Sequence, residues 1–169
     1  MSLESMEDLL LDHLRSLYHA EKQFVAALPK LIVHTTCMPL RQTLADHLEE
    51  TERQVARLER VFETLEHTPR GGRCRAAEGL IEDANEATRR STRGAVMDAA
   101  IIAGVQRIEH LEIASYGCVI AFARLLGLAP ISSVLTESLI EEKNLNDTLT
   151  RIAEEEVNEQ AVTAGAAHR

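Results

Sequence analysis

The amino-acid sequence predicts an all-α protein: a bundle of four long helices, with a long crossover between the second and third that holds a short fifth helix. Three observations carry this. The composition is 45% hydrophobic but only 3% aromatic, with no Trp, and its wealth of Ala, Leu, Glu and Arg favours helix over sheet. Apolar residues recur at alternating three- and four-residue spacing through four long stretches, which is the signature of a helical face turned to a core. Between those stretches stand clusters of Pro and Gly, which interrupt helices. A chain of 169 residues is most simply one domain with a real core.

The first helix is expected from about Ser5 to His34. Ser5 followed by Asp8 forms a capping box with the shorter acid, and Glu7 and Asp8 suit the positive end of the helix dipole. Its buried stripe reads Leu10, Leu14, Leu17, Glu21, Phe24, Leu28, Leu31, with Pro29 expected to bend the last turns. The second helix starts at Pro39, a favoured first-turn residue, and runs to about Glu66. Its stripe reads Leu44, Leu48, Thr51, Val55, Leu58, Phe62, Leu65, with Glu49 and Glu52 beside it. The breaker run His67-Thr68-Pro69-Arg70-Gly71-Gly72 opens the crossover, in which residues 76–90 read as a short helix. The third long helix spans 95–126 and ends at Gly127, a C-terminal cap. Its stripe contains Ile102, Val105, Glu109, Glu112, Ile113, Tyr116 and Ile120. Pro130 starts the fourth, whose stripe is Leu135, Leu139, Glu142, Asn146, Leu149, Ile152. The bundle is thus expected over 1–157, with 158–169 a frayed tail.

Carboxylates in an apolar stripe need neutralising, because an ionised carboxylate is almost never fully buried unless it is paired or binds a metal. The helix midpoints fall near residues 20, 52, 110 and 143. They coincide with Glu21, Glu49/Glu52, Glu109/Glu112 and Glu142. In a bundle of similar helices the midpoints share one height, so these six side chains are expected to meet in one layer. Di-iron and di-manganese carboxylate bundles combine one Glu from each of two helices with an i, i+3 pair from each of the other two. Here Glu21 and Glu142 are the single ligands, and Glu49/Glu52 and Glu109/Glu112 the pairs. Six oxygen donors favour a hard ion, iron or manganese, over zinc. Six carboxylates carry about -6, so two trivalent ions would balance them better than two divalent ones. Asp98, Gln106 and Asn146 are candidates for hydrogen bonding around the site, Tyr18 and Tyr116 for core residues with satisfied hydroxyls. No common layer emerges for the seven histidines.

Other classes are disfavoured. The net charge of -9 repels phosphate backbones and argues against nucleic acid. No apolar run approaches the ~20 residues that span a bilayer, and the N-terminus lacks a signal-peptide pattern. Cys37, Cys74 and Cys118 fit no zinc or disulfide spacing; they read as reduced thiols, Cys118 in the core, in a cytoplasmic protein.

The motifs Leu17-Tyr18-His19-Ala20-Glu21-Lys22-Gln23, His47-Leu48-Glu49-Glu50-Thr51, Gly79-Leu80-Ile81-Glu82 and Ile108-Glu109-His110-Leu111-Glu112-Ile113-Ala114-Ser115-Tyr116-Gly117 closely resemble those of the YciF-type ferritin-like proteins, and the resemblance runs to about Ala153. It implies a ferritin-like four-helix bundle, a homodimer, and a bacterial, stress-associated role. The family is similar in turn to rubrerythrin-like di-iron proteins, whose third helix carries a Glu-x-x-Glu pair like Glu109/Glu112. The expectation is a protein holding two iron ions, with manganese as the alternative, and acting as an oxidase- or peroxidase-type oxidoreductase toward metal ions, oxygen or peroxide. The alternatives are a metal store without turnover and a structural scaffold.

Overall fold

A computed structural model describes residues 3–166. The described residues form α1 (Met6–His34), α2 (Met38–Thr64), α3 (Arg75–Arg90), α4 (Ala95–Leu125) and α5 (Ala129–Ile152), followed by one turn of π-helix (Ala153–Val157) and α6 (Asn158–Ala166). No strand occurs among them. The chain is an all-α, ferritin-like four-helix bundle whose crossover carries α3.

Local chemistry sets the helix ends. The Ser5 hydroxyl accepts from the Asp8 N–H and the Asp8 carboxylate accepts from the Ser5 N–H, a complete capping box. Pro39 lies in the first turn of α2 and Pro130 in that of α5. After α4, Gly127 takes φ +73°, and the Leu128 N–H donates to the Ala123 carbonyl. That is the left-handed cap that glycine permits without steric cost. α1 passes through Pro29, which lies on its exposed side, where the missing hydrogen bond faces water.

The core fixes the topology. One apolar cluster joins Leu10, Leu14 and Leu17 to Leu58 and Phe62, Tyr116 and Ile120, and Ile131 and Leu135. The other joins Leu28 and Leu31 to Leu40 and Leu44, Ile101 and Val105, and Leu149 and Ile152. Early α1 therefore sits with late α2, late α4 and early α5. α1 and α5 run one way, α2 and α4 the other. Two consecutive long helices pointing the same way need a connection that returns the length of the bundle. α3 supplies about 24 Å of it at 1.5 Å per residue. It packs on α1 and α4 through Ala20, Phe24, Cys74, Ala77 and Ile108.

Gly104 lets α3 approach α4. A Cβ at Gly104 would come within 2.7 Å of the Ala84 Cβ and 3.2 Å of its Cα. Intrinsic helix propensity favours Ala over Gly by about 1 kcal/mol, yet Gly104→Ala is expected to destabilise the fold by about 1–3 kcal/mol through overpacking. A lowered urea midpoint checks this.

Two readings of the sequence are corrected here. Cys118 is exposed, because α4 turns Val119 and Ile120 inward instead. Where a frayed tail is expected from 158, the chain is helical to Ala166. The π turn inserts one extra residue, so that Val157 is buried five positions after Ile152; residues 167–169 lie outside the described residues.

Candidate metal centre

Between the two apolar clusters lies a polar layer. Each of the four long helices presents a four-three stripe that is apolar at its ends and polar in the middle. On α1 the middle is Glu21, on α4 Glu109 and Glu112, on α5 Ser138 and Glu142, and on α2 His47, Thr51 and Gln54; all are buried. Glu21, Glu109, Glu112 and Glu142 are each 0% exposed.

Ligand atoms of His47, Glu109, Glu112 and Glu142 all lie within 4.8 Å of one another. The His47 Nε2 stands 3.5 Å from a Glu109 oxygen, and its Nδ1 stands 3.7 Å from Glu50. An imidazole that turns Nε2 to a carboxylate cluster and Nδ1 toward an outer carboxylate has the arrangement usual for a metal-binding histidine. Glu21 stands within electrostatic reach of Glu142 and Glu112, and the Tyr116 hydroxyl donates to its Oε1 at 2.5 Å. On the far side the Gln54 amide donates to both Glu142 and Glu141.

This layer is electrostatically unfinished. Glu21 Oε2, both oxygens of Glu109 and of Glu112, Glu142 Oε2, His47 Nδ1 and Gln54 Oε1 are buried without a hydrogen-bond partner. Burial, with the Glu142 charge behind it, pushes the Glu21 carboxyl up to about 8. Burial first, then the neighbouring carboxylates, raises Glu109 and Glu112 well above the ordinary carboxylate range. Tyr116 is raised by burial and by Glu21. Burial alone would raise Glu141 too, but hydrogen bonds from Arg57 and Gln54 hold it below its ordinary value. Unpartnered buried carboxylates are normally rare because each costs several kcal/mol. Two wholly unpartnered carboxylates, Glu109 and Glu112, and two with one free oxygen each, Glu21 and Glu142, share this layer with an imidazole, and the residues present therefore match a metal site.

The structure brings together four of the six predicted ligands, Glu21, Glu109, Glu112 and Glu142. It does not bring Glu49 and Glu52. Both are exposed; the Glu49 side chain is 76% accessible and faces Arg53. The α2 stripe passes through Leu44, His47, Thr51, Gln54 and Leu58, while Leu48 and Val55 are only half-buried. At 3.6 residues per turn, Glu49 and Glu52 lie about 140–200° around the helix from His47. His47 is the candidate ligand that a hydropathy reading overlooks. The signal available was its four-three spacing with Leu40, Leu44, Thr51 and Leu58.

The three candidates for surrounding hydrogen bonds also lie elsewhere. Asp98 accepts from the Thr36 N–H at 2.7 Å, the Cys37 N–H at 2.9 Å and the Thr36 hydroxyl, tying α4 to the α1–α2 turn. Gln106 donates to Asn146 at 3.4 Å and to the Thr150 hydroxyl at 2.9 Å on the outer α4–α5 surface. The residues that do surround the layer are Gln54, Tyr116, Thr51 and Glu50.

Comparison with known proteins agrees with this architecture. The chain is 40% identical to the YciF protein of Escherichia coli K12 over 162 residues, covering 95% of this chain and 98% of that one. The crystal structure of that E. coli stress protein superposes with a TM-score of 0.87 at 41% identity, over 92% of this chain and 99% of the other. The YcfI protein of Rhodopseudomonas palustris gives a TM-score of 0.86 at 46% identity, over 88% and 95%. Residues 5–162 match the family described as a domain of unknown function, DUF892. With a YciF-like sequence along nearly its whole length and the same bundle, the chain belongs to this YciF-type family.

Proposed function

We propose that the protein binds two divalent cations, iron first and manganese second, in the polar layer, and serves a stress-related redox role toward metal ions, oxygen or peroxide. The observation that carries this is the buried set of four carboxylates and His47, with seven polar atoms lacking partners. Its charge count differs from the one read in the sequence. Four carboxylates carry about -4, and two divalent ions bring +4, so the divalent state is the balanced one once Glu49 and Glu52 are outside. One imidazole among carboxylates keeps the preference for iron or manganese, although it removes the all-oxygen argument against zinc. That the E. coli relative is a stress protein supports the physiological half of the reading.

Each residue has a definite task. Glu109, Glu112, Glu142 and His47 hold the cations. Glu21 completes the set, and the Tyr116 hydroxyl fixes its orientation. Gln54 orients Glu142. Phe24, Leu28, Val105 and Ile108 wall the layer beside His47 and Glu109, leaving a void of about 10 Å³, about one water in size. When bound, iron or manganese supplies the electron-transfer chemistry, while the protein supplies position and a dry wall.

The test is plasma mass spectrometry of protein purified without chelator or affinity metal, from iron- and manganese-supplemented cells. About two ions per chain are expected, lost in Glu109→Ala and His47→Ala and kept in the Glu49→Gln/Glu52→Gln double variant. Full occupancy of Glu109→Ala would overturn the assignment. A second reading is a homodimeric scaffold with relic carboxylates, favoured by the description of the R. palustris relative as a candidate structural protein. A metal-free protein after Fe(II) loading, sedimenting as a dimer, would select it.

A further inference from the structure

We infer that divalent cations reach the buried layer along the α2–α5 seam, with Glu141 as the transit ligand and Arg57 as the latch over it. This rests on the metal-binding reading above and adds a route to it.

On α5, Glu137, Glu141 and Glu142 descend from solvent to the core. Their side chains go from 63% exposed, through 23%, to fully buried. Outermost is a groove of about 330 Å³ lined by Arg57, Arg60, Thr64, Ile131 and Glu137. Arg57 closes its floor. Its Nη1 donates to the Ser138 hydroxyl at 2.6 Å and to Glu141 at 2.9 Å, and its Nη2 donates to the other Glu141 oxygen at 3.1 Å. Glu137 lies 3.6 Å from the same guanidinium. Behind Glu141, the Gln54 Nε2 donates to Glu141 at 2.9 Å and also to Glu142. Carboxylates therefore succeed one another from the groove to the ligand Glu142, bridged by one amide.

Gln54 makes this more than an acidic surface. It is 0% exposed, and its Oε1 has no partner, like Glu142 Oε2 beside it. An amide donates through one end and accepts through the other. Turned one way, it holds the two carboxylates together with Nε2. Turned over, it offers a carbonyl oxygen, a proper ligand for a hard cation. A cation displacing Arg57 from Glu141 thus meets oxygen donors at each step inward.

The groove over the α4–α5 seam, lined by Gln106, Arg107, His110, Asn146 and Thr150 among others, contains no carboxylate. The two apolar clusters cap the layer at its ends, and the third, under α3, covers the α1–α4 side. Glu50 is the other half-exposed carboxylate nearby, but it meets the layer through the His47 ring.

The test mixes metal-free full-length protein with Mn(II) and follows loss of the free-ion electron paramagnetic resonance signal in freeze-quenched samples. Glu141→Gln, nearly isosteric, is expected to reach wild-type occupancy about tenfold or more slower and with a weaker salt dependence, as for a charge that steers association. Arg57→Gln is expected to load faster. The exposed variant Glu137→Gln, which cannot disturb folding through the core, is expected to slow loading several-fold, while Glu49→Gln, exposed on α2 away from the layer, loads like wild type. Wild-type rates in Glu141→Gln and Glu137→Gln would overturn the route. So would a lowered final occupancy in Glu141→Gln, which would make it a ligand rather than a way-point. Wild-type protein that takes up no Mn(II) at equilibrium would instead remove the metal reading, and the route with it.

Discussion

Metal-free protein is expected to lose several kcal/mol of stability between pH 5 and pH 8, and divalent cation to reverse the trend. Glu21 titrates near 4.5 when unfolded and near 8 in the fold. Between those values the folded chain holds a proton that the unfolded chain has released. Stability contributed by that proton is complete below about pH 4.5 and falls by about 1.4 kcal/mol per pH unit as pH rises toward 8. Glu109 and Glu112 are shifted in the same direction and steepen the fall. Glu141, shifted the opposite way, contributes stability that is lost only as pH drops below the ordinary carboxylate range, outside this window. A domain of this kind has about 5–15 kcal/mol in all, so the loss is a large share of it. Bound cation takes the place of those protons and releases them, so its contribution grows with pH. It adds about 2.7 kcal/mol when free ion is at 100 times the dissociation constant. Urea titrations at pH 5, 6, 7 and 8, with chelator and with Mn(II), check both limbs; a chelated protein equally stable at pH 5 and pH 8 would refute the first.

Glu112→Leu is expected to raise the stability of the metal-free protein at pH 8 by about 1–4 kcal/mol while abolishing metal binding. Glu112 is fully buried with both oxygens unpartnered. Replacing buried ionic groups by apolar ones of similar size is often stabilising by that amount. Leu there would join Val105, Ile108 and Tyr116 in the α4 wall. The gain should shrink as pH falls, because the raised Glu112 carboxyl takes up its proton more readily than an ordinary one. Adding Mn(II) should leave the urea midpoint of the variant unmoved and shift that of the wild type. A variant less stable than wild type at pH 8 in chelator would mean that Glu112 has partners in solution that offset its burial. Acids kept at a stability cost are the usual mark of a site retained for function.

Much of the site was legible in the sequence where it interrupts an apolar column. Glu21 stands out because Leu17 and Phe24, four and three residues away, are hydrophobic, and Glu142 because Leu135 and Leu149, two helical turns away on either side, are hydrophobic. Glu109 and Glu112 stand out for the same reason on α4. α2 hid its contribution because its buried stripe is polar for three successive positions, His47, Thr51 and Gln54. A hydropathy reading then slides to Leu48 and Val55, which carries Glu49 and Glu52 toward the core and His47 away from it. α4 hid less of the layer and more of its own surroundings. It is apolar nearly all round because α1, α3, α5 and α6 all pack on it, so its pattern could not say that Cys118 faces out or that Asp98 serves the α1–α2 turn.

The order of residues is enough to specify the four long helices, their caps, the crossover helix and the height of the four buried carboxylates. These follow from local chemistry and from period, which act along one chain segment at a time. Packing of the helices against one another settles which face of α2 turns inward, that His47 rather than Glu49 and Glu52 faces the layer, and that Gln54, Glu141 and Arg57 run from the layer toward solvent. Those choices depend on what the other three helices place opposite α2. A polar residue is buried when partners elsewhere in the chain satisfy it, and its own hydropathy carries no record of them.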